Sequence, residues 1–167
     1  MKLDSTPVLR LGDIDCSEII DLLGRFGLQL SICQKNQPIA GSFWGDDEAG
    51  LIGDRLFARP DTPIHSILHE TSHYICMDPP RRDKLNTHAH SNNEEENAVC
   101  YLQILLADQL KSVSRGRIIA DMDNWGYSFR LGSTQAWFDA EGEGAGIWLI
   151  AHQIIENALS PHFKLRQ

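Results

Sequence analysis

Between Ile64 and Met77 the chain carries His69-Glu70-Thr71-Ser72-His73, and no other stretch constrains the fold as tightly. Plotted at about 100° per residue, Ile64, Ile67, Leu68, Thr71, Tyr74 and Ile75 fall on one side of a helix. His65, His69, His73 and Glu70 fall on the other. An ordinary amphipathic helix puts solvated charges opposite its apolar stripe; this one puts three histidines and a glutamate there. Residues four apart on a helix point the same way. His69 and His73 can therefore reach one Zn²⁺ at about 2.0–2.1 Å. Glu70, about 100° round the helix, flanks such an ion and is placed to act as general base on a water. The competing account is a surface helix with a few exposed histidines.

Composition narrows the setting. At 167 residues, 42% hydrophobic and 23% charged, the chain is expected to form one domain over residues 1–167 with ample core. A formal charge of −8 disfavours nucleic acid as partner, because phosphate contacts need a basic surface. No apolar run reaches the length of a transmembrane helix, and Met1 to Arg10 lacks the apolar stretch of a secretory signal. Cys16, Cys33, Cys76 and Cys100 form no CxxC pair and read as reduced thiols of a cytoplasmic protein.

The expected class is α+β: a small antiparallel sheet packed on a helical core. Asp15 or Ser17 caps a first helix through Phe26, with Gly27 as its stop. Leu28–Cys33, Pro38–Trp44 and Leu51–Ala58 read as three strands of a meander. Pro79 and Pro80 end the histidine helix, and Met77 to Asn93 reads as a loop. A long helix follows from Glu94 to about Ser112. Further on, residues 118–129 are ambiguous, Ser133 caps a short helix, Glu141 to Gly146 reads as a flexible hinge, and Ile147–Leu159 has helical spacing.

A zinc site needs a third protein ligand, with the fourth position left for water. Glu94, Glu95 and Glu96 open the long helix, and His88 and His90 precede it. Glu95 shares its stripe with Val99, Leu102 and Leu106, the most apolar of the three options. A carboxylate over a buried stripe needs a partner, and the metal is the candidate. Glu94 ranks second on this criterion and Glu96, aligned with Cys100, Gln103 and Ala107, ranks last. The competing reason for three acids here is the helix dipole.

The HExxH stretch followed by Glu95, Ala98, Tyr101 and Leu105-Leu106 resembles the gluzincins of the ImmA/IrrE type, whose downstream helix has the form ExxANxFAxxLL. The likeness runs from about residue 51 to 107, and departs from that form at Val99, Leu102 and Ala107. It implies a zincin-like core and a zinc peptidase with Glu95 as third ligand, acting on a protein or peptide, often a regulatory protein. The reading is then that His69, His73 and Glu95 hold Zn²⁺ and Glu70 moves the proton. His65, Tyr101, Tyr127 and His152 are candidates to polarise a substrate carbonyl. Two alternatives stand beside it: an SprT-like protease with His88 or His90 as third ligand, and a zinc-binding regulatory or interaction module without turnover.

Overall fold

In the computed structural model, residues 7–42, 46–85, 91–157 and 162–167 are described. Among the described residues there are seven α-helices and a three-stranded mixed sheet, against which the first two helices pack, so the α+β expectation holds in its coarse form. Helix α1 spans Cys16–Gly24; the Asp15 carboxylate accepts from the Ser17 amide and caps it, and Ile19, Leu22 and Leu23 are buried. Strand β1 follows at Gln29–Ile32.

The sheet corrects the expected meander. Residues 51–58 are not one strand. They are a hairpin of β2 (Gly50–Ile52) and β3 (Arg55–Ala58), joined by Gly53-Asp54 with Gly53 at φ +58. Gly-Asp between apolar runs is a two-residue turn signal, and it outweighs the continuity of the apolar pattern. β3 is central: it pairs antiparallel with β2 and parallel with β1. Of the expected strand over residues 38–44, the described part, 38–42, is not in the sheet. It crosses β2 instead, and a Cβ on Gly50 would lie 2.2 Å from the Ala40 carbonyl oxygen.

Helix α2, Ile64–Cys76, carries the histidines and packs most extensively against α4, Asn93–Leu106. Between them lies a helix the sequence reading took for loop. α3 is Pro79–Asp83, capped by Asp78, with Pro79 in the first turn, where proline costs no hydrogen bond. Asn92 caps α4 at the Glu95 amide. Ser114 opens α5, Arg115–Trp125, which Gly126 closes in a left-handed turn. Ser133 caps α6, Thr134–Ala140, as its type and place predict.

Residues 142–146 are no hinge. They form the first half of α7, Gly142–Ala151. A Cβ on Gly142 would stand 2.6 Å from the Tyr101 ring. Gly142 lets α7 press against α4, so its lack of a side chain serves close packing here rather than freedom. The final stretch returns to α2: the Arg166 amide donates to the Ile75 carbonyl at 3.0 Å. No described helix is long and apolar enough to cross a membrane.

Candidate metal centre

The α2–α4 contact brings the functional side chains together. His69 and His73 project from α2 with ring centroids 4.7 Å apart. From α4, Glu96 meets both: Oε1 lies 3.5 Å from His69 Nε2, and Oε2 lies 3.5 Å from His73 Nε2. These gaps exceed the ordinary hydrogen-bond range. Two donors bound at about 2.0–2.1 Å in a tetrahedral zinc site stand about 3.3–3.4 Å apart. The spacing thus fits donors that share an ion better than it fits direct pairs.

Gln103, one helical turn beyond Cys100 on α4, fixes the proton on His69. Its Nε2 donates to the His65 carbonyl at 2.8 Å and to the Tyr127 hydroxyl at 3.2 Å. A carbonyl only accepts, so the amide group there is the NH₂ end. Its Oε1 therefore faces His69 Nδ1, at 3.0 Å, and Nδ1–H must donate. In neutral His69 the Nε2 lone pair is left bare toward Glu96. A lone pair opposite a carboxylate is repulsive, and either a proton on Nε2 or a cation between the two groups relieves it. Outer partners of this kind orient a metal-ligating imidazole.

The electrostatics agree. Burial pushes His69 down, but Tyr127, Cys100 and Glu96 outweigh it and raise its affinity for a proton. Burial pushes Glu96 up, yet its contacts with His69 and His73 hold it well below the usual carboxylate range. The pocket favours positive charge at this point. Glu70 is raised chiefly by burial, with His73 and His69 opposing and Glu96 and Glu48 adding. That direction suits a base that must hold and then release a proton. Glu48 is also raised by burial, and accepts from Trp125 Nε1 at 2.7 Å.

Glu95 does not join the histidines. It is 4% exposed and turned toward α3 and the last residues. Arg81 donates to it twice, Nη1 to Oε2 at 2.9 Å and Nη2 to Oε1 at 2.5 Å. Arg166 Nη1 donates to Oε1 at 3.0 Å. A buried carboxylate does need a partner, and here two guanidinium groups supply it. A cavity of about 350 Å³ beside this cluster is bordered by Glu95, Arg81, Trp148 and His152, but by neither His69, His73 nor Glu96. Glu94 is exposed. The carboxylate that faces both histidines is that of Glu96, not of Glu95 as the resemblance implies. His88 and His90 lie outside the described residues.

The remaining candidates separate cleanly. Tyr101 stacks on Phe138, ring centroids 4.7 Å apart, in the core near α6 and α7. His152 stacks on Trp148 and donates Nδ1–H to the Trp148 carbonyl at 2.8 Å. His65 and Tyr127 are near the centre, but as supports. His65 is buried, neutral, and pushed down to about 3 by burial and then by the charge of His69. Its Nδ1 lies 3.3 Å from the Tyr127 hydroxyl. Burial pushes that hydroxyl up to about 12.

Compared with protein-family models, with curated proteins and with solved structures, the chain finds no match. The functional reading therefore rests on the residues themselves. Glu96, Cys100, Gln103 and Glu48 also lie about the two histidines and Glu70, beyond the residues the sequence points to. For the three on α4 a signal existed: their spacing of four and three residues forms a polar stripe in an otherwise apolar helix.

Proposed function

We propose that the chain is a zinc-dependent peptidase, with His69, His73 and Glu96 as protein ligands and Glu70 as general base. One observation carries it: the Glu96 carboxylate spans two Nε2 atoms at 3.5 Å each, beside the glutamate that an HExxH helix places next to its histidines. Two histidines and a carboxylate form a donor set suited to zinc. When bound there, zinc supplies Lewis acidity that polarises a carbonyl and brings water ionisation toward neutral pH.

The chain's own residues do the rest. Gln103 holds His69 in the tautomer that leaves Nε2 free. Glu70, raised by burial, takes the proton of the attacking water and returns it to the leaving amine. The expected substrate is a protein or peptide. Glu70→Gln tests this: it should keep one equivalent of zinc and lose hydrolysis of a pool of fluorescence-quenched peptides. Equal hydrolysis by the parent and Glu70→Gln would sink the assignment. The second reading, a metal-binding module without turnover, is favoured by the Cys100 sulfur beside the donors. It gains if the zinc-loaded parent cleaves nothing in the pool.

A further inference from the structure

We infer that Cys100 is a fourth donor to the ion assigned above, so that His69, His73, Glu96 and Cys100 close the centre when no substrate is present. The inference rests on the metal-centre reading and adds a residue that no HExxH pattern contains.

The placement is specific. Glu96 and Cys100 are four residues apart on α4, as His69 and His73 are on α2, so each pair shares one helix face. Those faces meet where Glu96 stands between His69 and His73. A His69 ring nitrogen, a Glu96 oxygen and the Cys100 sulfur all lie within 4.8 Å of one another. With a zinc–sulfur bond of about 2.3 Å, a tetrahedral thiolate stands about 3.6 Å from its neighbouring donors. For His69 and Glu96 that difference is at most about 1.2 Å, and His73 reaches the group through the second Glu96 oxygen, 3.5 Å from its Nε2. Cys100 is also 9% exposed, so little solvent competes with the sulfur for that position.

The chemical consequence follows from coordination number. Catalytic zinc sites keep one position open, and structural ones fill all four. A bound thiolate fills the open position and makes the centre latent. On binding, the thiol gives its proton to solvent as the metal–sulfur bond forms. When a substrate displaces it, that bond breaks and the thiol takes a proton back. A soft sulfur donor also biases the site toward zinc or cobalt and against magnesium, calcium or manganese.

The experiment is a Co²⁺ titration of the whole chain, read by absorbance. The parent should develop a near-ultraviolet sulfur-to-cobalt charge-transfer band that saturates at one equivalent. The band should persist in Cys16→Ala, Cys33→Ala and Cys76→Ala, and vanish in Cys100→Ser. The serine variant should still bind one Co²⁺, at least about tenfold more weakly, since loss of even an outer partner costs roughly 10- to 100-fold. If Cys100→Ser does not fold, the parent's band and its survival in the other three variants still assign the sulfur. A parent that binds one Co²⁺ without the band overturns the inference and leaves the three-ligand centre standing. A parent that binds neither Co²⁺ nor Zn²⁺ overturns both. A parent with the band but no peptide hydrolysis overturns the peptidase reading and supports this one.

Discussion

Two adjacent glutamates should behave in opposite ways when each is changed to glutamine. Glu96→Gln removes the charge that faces both imidazoles. Bound zinc should fall below one equivalent, while the fold survives, because this side chain is 43% exposed and meets His69 and His73 only across gaps of 3.5 Å. Glu95→Gln should keep one equivalent of zinc and lose stability instead. Its carboxylate accepts three charge-assisted hydrogen bonds from two arginines. Breaking a buried pair costs about 3–5 kcal/mol. Arg81 and Arg166 remain 33% and 22% exposed, so water reclaims part of each guanidinium. A discounted loss of about 2–3 kcal/mol is expected. For a chain of this size each kcal/mol lowers the midpoint by about 2–4 °C, so Tm should fall by about 4–12 °C. Zinc content by elemental analysis and melting of the metal-free proteins measure the two effects separately. Full zinc binding in Glu96→Gln together with zinc loss in Glu95→Gln would refute the assignment.

Three further outcomes follow from named contacts. Gln103→Leu cannot accept from His69 Nδ1, so zinc affinity in a competition assay should drop by roughly 10- to 100-fold with little change in secondary structure. His65 stays neutral in the fold down to about pH 3, whereas the unfolded chain protonates it near 6.5. Between those values the unfolded state binds the extra proton, so stability rises with pH across the window and is lost as pH falls. The contribution is about 1.4 kcal/mol per pH unit. Urea unfolding of metal-free parent and His65→Phe at pH 4, 5 and 6 should differ in slope by about that amount, and parallel slopes would refute it. Gly142→Leu drives a side chain into the Tyr101 ring and should destabilise by about 1–3 kcal/mol, read by chemical unfolding.

The legibility of the sequence tracked how local each signal was. Helix caps at Asp15 and Ser133 are decided by neighbouring residues, and both were readable. The motif helix was readable because its polar and apolar residues separate over thirteen positions, Ile64–Cys76. The Gly53-Asp54 turn was local too, but the apolar run on both sides masked it. The parallel pairing of β1 with β3 depends on a long connection and has no local mark. Gly142 reads as part of a hinge because its reason lies in Tyr101, about forty residues away in sequence.

The choice among three glutamates shows why one criterion can point both ways. On α2 the site was found on the stripe opposite the apolar one. On α4 the most apolar stripe points to Glu95 as third ligand, because a buried carboxylate demands a partner. That demand is real, but arginines meet it as well as a metal does, and Arg166 comes from the far end of the chain. A site that must admit water and substrate is lined with polar groups on both of its walls. The stripe of Glu96, Cys100 and Gln103 satisfies that requirement, and its opposite number on α2 is His69 and His73. Two facing polar stripes, each set into an otherwise apolar helix, are a stronger sign of a shared ligand than either stripe alone. A lone stripe is accounted for by solvent; these two meet at a helix contact, where Gln103 pairs with His69 and the half-exposed Glu96 faces both His69 and His73. In the proposed centre one ion would complete those pairings, with His69 in the tautomer that Gln103 selects.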